Sequence, residues 1–246
     1  MQGKVVLVTG GAKRVGAAIC RRLHAAGASI ALHYRHSLHE AQVLADELND
    51  LRAGSARLVQ ADLLHAELLV RPVHETVQHF GRLDALVNNA SSFFPTPLEE
   101  IGEHQWHDLI GTNLKAPLFL AQAAARELRR NQGAIINIVD IHADRPMHGH
   151  LVYSVAKAGL AALTRGLAVE LAPEVRVNAV APGAIIWPES GGWATPGVRE
   201  KIIEQTLLKR VGDPDDIAKT VLFLLRDAPY ITGQIVNVDG GKSINH

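Results

Sequence analysis

Tyr153 and Lys157 close the stretch IVDIHADRPMHGHLVYSVAK, four residues apart. On a helix that spacing puts both side chains on one face, reaching into the same volume. An ammonium beside a phenol stabilises the phenolate, so Lys157 is expected to lower the Tyr153 pKa from about 10 and make it a better proton donor near neutral pH. Asp140 stands thirteen positions before Tyr153, at the end of the largely apolar run AIINIV. A carboxyl group there can act as an acid or relay beside the phenol, or it can do no more than fix the tyrosine or cap a helix. A Tyr and a Lys at this spacing are also the ordinary makings of an amphipathic surface, so the elements that place all three groups decide between proton chemistry and none.

Those elements alternate along the chain. Short β-branched runs predict strands at Val5–Val8, Ser29–Tyr34, Ala56–Gln60, Ala85–Asn88, Ala134–Val139, Val175–Val180 and Gln234–Val238. Apolar residues recurring at three and four predict helices over Arg14–Ala26, Leu38–Leu51, Glu67–Phe80, Gln105–Arg129, Leu151–Leu171 and Asp215–Leu225. The stretch SLHE at Ser37–Glu40 has the form of a capping box, and Gly27 follows the first helix where a left-handed cap is wanted. Apolar strands alternating with amphipathic helices imply an α/β fold: a Rossmann-like, doubly wound, seven-stranded parallel sheet flanked by helices. A chain of 246 residues suits one such domain, from residue 1 to 246. Asp140 then ends the fifth strand at the carboxyl edge of the sheet, where open α/β folds bind ligands.

The first strand runs into VTGGAKRVG, a glycine-rich turn that opens a helix. Backbone N–H groups and the positive helix end can hold a pyrophosphate there, although a bare strand-to-helix turn needs the same glycines. Arg14 occupies the place of the middle glycine in a Thr-Gly-x-x-x-Gly-x-Gly pattern that Gly10 and Gly16 otherwise satisfy. Its guanidinium adds a cation beside the phosphates, at the expense of a glycine that a tight turn can need. After the second strand the sequence reads HYRHS, without the carboxylate that would bind a ribose 2′-hydroxyl. Arg35, His36 and Ser37, with Lys13 and Arg14 nearby, form a phosphate nest, and NADPH is the expected cofactor; a solvated polar loop is the alternative.

Bulk properties narrow the field. Lys plus Arg and Asp plus Glu are 25 each, so no net field draws the chain to nucleic acid or to an anionic membrane. One cysteine, Cys20, builds neither a disulfide framework nor a thiolate metal site, and fits a reducing compartment. With no secretory leader and no apolar run of spanning length, a cytoplasmic location is expected. Thirteen histidines include His142, His148 and His150 near the candidate site, but their spacing lacks a paired helical arrangement with a carboxylate, so no metal is expected. Pro182–Gly197 is the one long irregular segment; Trp187 and Trp193 within it suit a lid or a segment pinned at a subunit contact.

Across essentially its whole length the chain resembles the short-chain dehydrogenases/reductases. The likeness rests on TGGAKRVG, the Asp62-Leu63 pair, NNAS at Asn88–Ser91, Asn113 in the fourth helix, YSVAK, RVNAVAPG and ITGQIVNVDGG. Arg14, HYRHS, NNASSFFPTPL and an Asp at 140, where most members carry a Ser, resemble the pteridine reductase subgroup. The resemblance implies NADPH-dependent reduction of dihydropterins, with dihydrofolate a further substrate, by a cytoplasmic homotetramer. It implies cofactor contacts from Gly10, Lys13, Arg14 and Val15 in the turn, and from His33, Tyr34, Arg35, His36 and Ser37 at and just beyond the end of the second strand. Further contacts are expected from Asp62 and Leu63, from Asn89, Ala90 and Ser91, from Tyr153 and Lys157, and from Pro182, Gly183 and Ile185. By the same resemblance Asp140 and Tyr153 pass a proton to the pterin, Lys157 supports the phenol, and Asn113 holds a water beside Lys157. Arg14, Ser91 and Phe93 join Asp140 and Tyr153 at the substrate, with the Phe93 ring stacking on it unless Phe93 and Phe94 merely seal a core edge. Thr9 is expected to stabilise the turn. Two other readings stay open: reduction of a carbonyl such as a 3-oxoacyl thioester, and a non-catalytic NADP(H)-sensing regulator.

Overall fold

The structure, a computed structural model, describes residues 1–187 and 197–245. Seven strands form one parallel sheet in the order β3-β2-β1-β4-β5-β6-β7. They are β1 Val5–Val8, β2 Ser29–Tyr34, β3 Ala56–Gln60, β4 Ala85–Asn88, β5 Ala134–Ile138, β6 Arg176–Pro182 and β7 Ile235–Val238. The order reverses between β1 and β4, because the chain winds outward through β2 and β3 and then crosses to the other side of β1. Both faces are covered. Val6 and Val8 enter one core with residues of α1 (Arg14–Ala25), α2 (Leu38–Leu51) and α8 (Pro214–Arg226). Leu7, between them, enters the opposite core with residues of α3 (Arg71–Phe80), α5 (Ala116–Asn131) and α6 (Leu151–Leu171). Period-two alternation thus buries the inner strands on both sides, which is why they read as continuous apolar runs, while the edge strands β3 and β7 are partly exposed.

Several boundaries differ from the sequence expectation for identifiable reasons. The helix expected from Glu67 begins as a separate 3-10 turn at Ala66–Leu68, and α3 starts at Arg71. Pro72, which lacks an N–H, lies at the second helical position, where no donor is needed. The span expected as one helix from Gln105 to Arg129 is α4 (Glu103–Ile110), a π-helical turn at Gly111–Lys115, and α5. The capping box at Ser37–Glu40 does not form: Ser37 precedes α2 without a side-chain cap, and Glu40 instead pairs with Lys13 at 2.5 Å. Gly27 takes φ +99°, as a left-handed cap requires. A short helix not expected from the sequence, α7, spans Val198–Glu204. Trp193 and residues 188–196 lie outside the described residues. Among the described residues no helix is long and apolar enough to cross a membrane.

A buried polar chain fixes α6 against the sheet. Asn88 Nδ2 on β4 donates to Asn137 Oδ1 on β5 at 2.8 Å, and Asn137 Nδ2 donates to Thr164 Oγ on α6 at 2.9 Å. Thr164 in turn donates to the Leu160 carbonyl. These groups have little alternative to one another in a dry interior, so the network sets the depth and register of the helix that carries Tyr153 and Lys157.

Candidate active site

The carboxyl ends of β1 to β6 open onto a cleft of about 730 Å³. At the β1 end, Thr9 Oγ accepts from the Asn89 and Ala90 N–H groups at 2.9 and 3.0 Å and donates to the Val87 carbonyl. The Asn89 amide donates back to the Thr9 and Gly10 carbonyls. Gly10, at φ +59°, donates its N–H to His33 Nδ1 at 3.1 Å, while His33 Nε2 meets the Ala61 carbonyl at 3.1 Å. Accepting at one nitrogen and donating at the other requires a neutral ring. Burial agrees, pushing the His33 pKa down to about 4. Any Cβ at Gly16 would collide with the Gly10 carbonyl and the Asn89 amide, so this glycine is required by close approach.

Arg14 takes φ +53°, the left-handed region that favours glycine. That conformation explains why a glycine pattern is interrupted at a position where glycine suits the backbone. The guanidinium reaches across the cleft, donating through one nitrogen to the Ile186 and Trp187 carbonyls at 3.1 and 3.2 Å. Trp187 also lies under the Arg199 guanidinium, 5.2 Å from the ring centre. On the β2 side Arg35 pairs with Asp62 at 2.8 Å. Arg35, His36 and Ser37 all line the cleft there.

At the other end, Tyr153 Oη donates to Asp140 Oδ2 at 2.8 Å. Asp140 Oδ1 accepts from the His142 N–H at 2.9 Å, capping a 3-10 turn at Ile141–Ala143. Both structural tasks weighed for Asp140, fixing the tyrosine and capping a helix, are therefore present alongside its place in the cleft. The sequence expectation for the phenol is corrected. Burial and the neighbouring Asp140 carboxylate hold the Tyr153 pKa well above its ordinary value, against a smaller lowering by a hydrogen bond with Ser91. Lys157 does not offset this, because its ammonium donates to the Ile138 carbonyl at 2.9 Å and lies 5.6 Å from the Tyr153 ring centre. Burial lowers the Lys157 pKa to about 8, with Asp140 opposing.

Phe93 stacks face to face on His150, with centroids 4.7 Å apart, and meets Tyr153 edge-on at 4.9 Å. Phe93 and Phe94 both pack against the cluster of Leu109, Val152 and Tyr153. Asn113 lies in the π-helical turn and is absent from the cleft wall. Its amide is occupied: Nδ2 donates to the Ser92 and Leu109 carbonyls, and Oδ1 accepts from Ser91 Oγ at 2.6 Å. Asn113 thus positions the Ser91–Phe93 loop, and its side-chain amide makes no hydrogen bond with Lys157.

Every other residue expected at the cofactor or substrate lines the cleft, including Val15, Tyr34, Leu63, Ala90, Pro182, Gly183 and Ile185. So do residues that the sequence reading missed: Thr112, Met147, Ile202 and Lys242. Lys242 lies four residues from the C-terminal residue and is brought to the cleft by a reversal at Gly240 and Gly241, with φ +62° and +82°. The Gly-Gly pair signals a turn, but nothing in its pattern says where the turn leads. Among the described residues no group of three or more His, Cys, Asp or Glu side chains is placed to hold a metal ion.

A doubly wound sheet with a glycine turn at its switch point and a Tyr–Lys pair at the neighbouring strand end defines a nicotinamide-dependent oxidoreductase. A family model described as enoyl-(acyl carrier protein) reductase matches residues 10–243. Pteridine reductase 1 of Leishmania tarentolae is 36% identical, with 98% of this chain and 96% of that protein covered. An uncharacterized oxidoreductase of Methylorubrum extorquens is 38% identical, with 98% of each chain covered. A 3-oxoacyl-(acyl-carrier-protein) reductase of Staphylococcus epidermidis is 36% identical, with 97% of this chain and 98% of that protein covered. The chain belongs to the short-chain dehydrogenase/reductase family and is an oxidoreductase of that family, whose reductases use NADH or NADPH.

Proposed function

We propose that this chain is an NADPH-dependent pteridine reductase, converting dihydropterins to tetrahydropterins and accepting dihydrofolate as well. Overall identity does not favour this over a 3-oxoacyl thioester reductase, since relatives of both names stand at 36%. The observation that carries the reading is Asp140, a carboxylate hydrogen-bonded to the phenol at the strand end. A hydroxyl suffices to orient a carbonyl oxygen. A ring nitrogen that must gain a proton calls for an acid and a relay, and Asp140 with Tyr153 supplies both.

The cleft fits a dinucleotide. Gly10, Lys13, Arg14, Val15 and Gly16 line it where α1 begins, suiting a pyrophosphate, and Ser37 at the start of α2 keeps its hydroxyl from capping. Arg35, His36 and Ser37 would hold a 2′-phosphate. The cofactor supplies a hydride to the ring carbon. Tyr153 keeps a proton at its phenolic oxygen and shares it with Asp140, so the pair delivers that proton to the adjacent ring nitrogen. Lys157, bonded to the Ile138 carbonyl, would hold the strand end beside the phenol without itself lowering the phenol pKa. Phe93 presents an aromatic ring beside Tyr153, which suits a flat heterocycle. A homotetramer is proposed by resemblance to the subgroup.

Incubation with NADPH and, separately, dihydrobiopterin, dihydrofolate, a 3-oxoacyl thioester and simple ketones tests this through loss of reduced-nicotinamide absorbance. Oxidation with dihydrobiopterin while the ketones stay inert is expected. Turnover of the thioester alone would overturn the reading, and oxidation with none of them would leave a sensing role.

A further inference from the structure

Lys242 lines the Asp140 end of the cleft, on a chain reversal held from several sides. Asp239 Oδ1 accepts from the Gly241 N–H at 3.0 Å, and Oδ2 accepts from the Ser243 N–H at 2.7 Å. Downstream, Asn245 Nδ2 donates to the Gln205 carbonyl, and the Asn245 carbonyl accepts from Arg145. The backbone that carries Lys242 is therefore tied to the end of β7, to the segment after α7 and to the loop after β5.

Among the described residues the Lys242 side chain makes no hydrogen bond and no ion pair, although it is half-buried. Burial disfavours its charge, while the Asp140 and Asp239 carboxylates support it through space. Neither carboxylate forms an ion pair with it. Both Asp140 oxygens are engaged by Tyr153 and the His142 N–H, and both Asp239 oxygens hold the turn. The other lysines of the cleft differ: Lys13 is paired with Glu40, and Lys157 is bonded to the Ile138 carbonyl. A partly desolvated ammonium near Asp140, held by a fixed turn and lacking a hydrogen-bond acceptor among the described residues, is complementary to an anion arriving with the substrate.

We infer that Lys242 is a specificity-determining residue that pairs with an anionic substituent, a carboxylate or a phosphate, carried by the ring the enzyme reduces. This rests on the pterin reading above. It explains why a cation stands at a point the hydride and proton transfers do not require.

The test compares kcat/KM for three substrates with one ring and different substituents: dihydrobiopterin (uncharged), dihydrofolate (carboxylates) and dihydroneopterin phosphate. In Lys242→Met the ratio of kcat/KM for an anionic substrate to that for dihydrobiopterin is expected to fall about tenfold, through KM rather than kcat. Lys242→Arg should recover most of that ratio, and which anionic substrate responds tells carboxylate from phosphate. An equal loss on all three substrates would mean that Lys242 acts through Asp140, and would overturn the inference. Unmoved ratios would overturn it too while leaving the pterin reading standing. A wild-type enzyme that turns over none of the three removes both.

Discussion

Asp140 bears on mechanism and on structure at once, because one oxygen accepts the Tyr153 hydrogen bond and the other caps a turn. Asp140→Ser keeps a short polar cap while removing the carboxylate that shares the Tyr153 proton. On the proposed chemistry it lowers kcat for dihydropterin about 100-fold or more. Undiminished dihydropterin turnover in a variant with unaltered thermal unfolding would reduce Asp140 to a structural group. Lys157 makes a prediction of opposite character. Its pKa falls from 10.5 to about 8 on folding, so below pH 8 both states hold the proton and the folded state bears the cost of burying it. Between pH 8 and 10.5 the unfolded chain keeps its proton while the folded chain releases it, and stability rises with pH across that window. Lys157→Met abolishes that rise. It also gains about 1 kcal/mol at pH 7 after losing the bond to Ile138, or roughly 2–4 °C in Tm, while losing most activity. Parallel unfolding curves at pH 7 and pH 9.5 check both the gain and the missing slope. Tyr153 shows where residue-level reading stopped: the pair spacing was legible, but whether the phenol faced the ammonium or the carboxylate depended on side-chain geometry that spacing does not encode.

Among the elements, the turn from β1 into α1 is the most constrained, and Arg14 is where its constraints conflict. A side chain at φ +53° bears a steric cost of about 1–2 kcal/mol that glycine escapes, yet the guanidinium ties the turn to the Ile186 and Trp187 carbonyls. Arg14→Ala and Arg14→Gly lose those bonds alike and differ mainly in the backbone. Arg14→Gly is therefore expected to unfold at a higher temperature than Arg14→Ala, by about 1 kcal/mol in stability. Equal Tm values for the two would mean that the turn relaxes out of the left-handed region. Element boundaries were legible where one periodicity ruled: β1, β2, β3, β4, α2 and α6 begin and end where the sequence pattern places them. They were not legible at Gly111–Lys115, since a π-helical turn keeps apolar residues near a helical repeat and changes only the hydrogen bonding. The capping box failed for a different reason. Glu40 had a stronger attraction across the cleft wall in Lys13, and that partner is distant in sequence.

On the scale of the whole molecule, the site belongs to no single segment. Its walls come from the ends of six strands, from the start of α1 and from the chain's last turn, all gathered on one edge by the parallel order of the sheet. A doubly wound seven-stranded parallel sheet was legible from the alternating elements, though not its strand order, and so was the sheet edge that carries the cleft. The contribution of Lys242 was not, since it depends on how a C-terminal turn closes against residues far earlier in the chain. A ligand that touches both halves of such a sheet stabilises the folded state by mass action. At a hundredfold excess over its Kd, NADPH contributes about 2.7 kcal/mol, raising Tm by roughly 5–10 °C in a chain of this size. Arg35 must then leave part of its pairing with Asp62 to meet a 2′-phosphate, so the cofactors differ where this pair sits. NADH at the same concentration is expected to raise Tm by less, and Arg35→Ala to narrow the gap between the two. A larger shift with NADH would reverse the cofactor assignment while leaving the chemistry of Asp140, Tyr153 and Lys157 intact, because those groups line the β5 end of the cleft and Arg35 the β2 end.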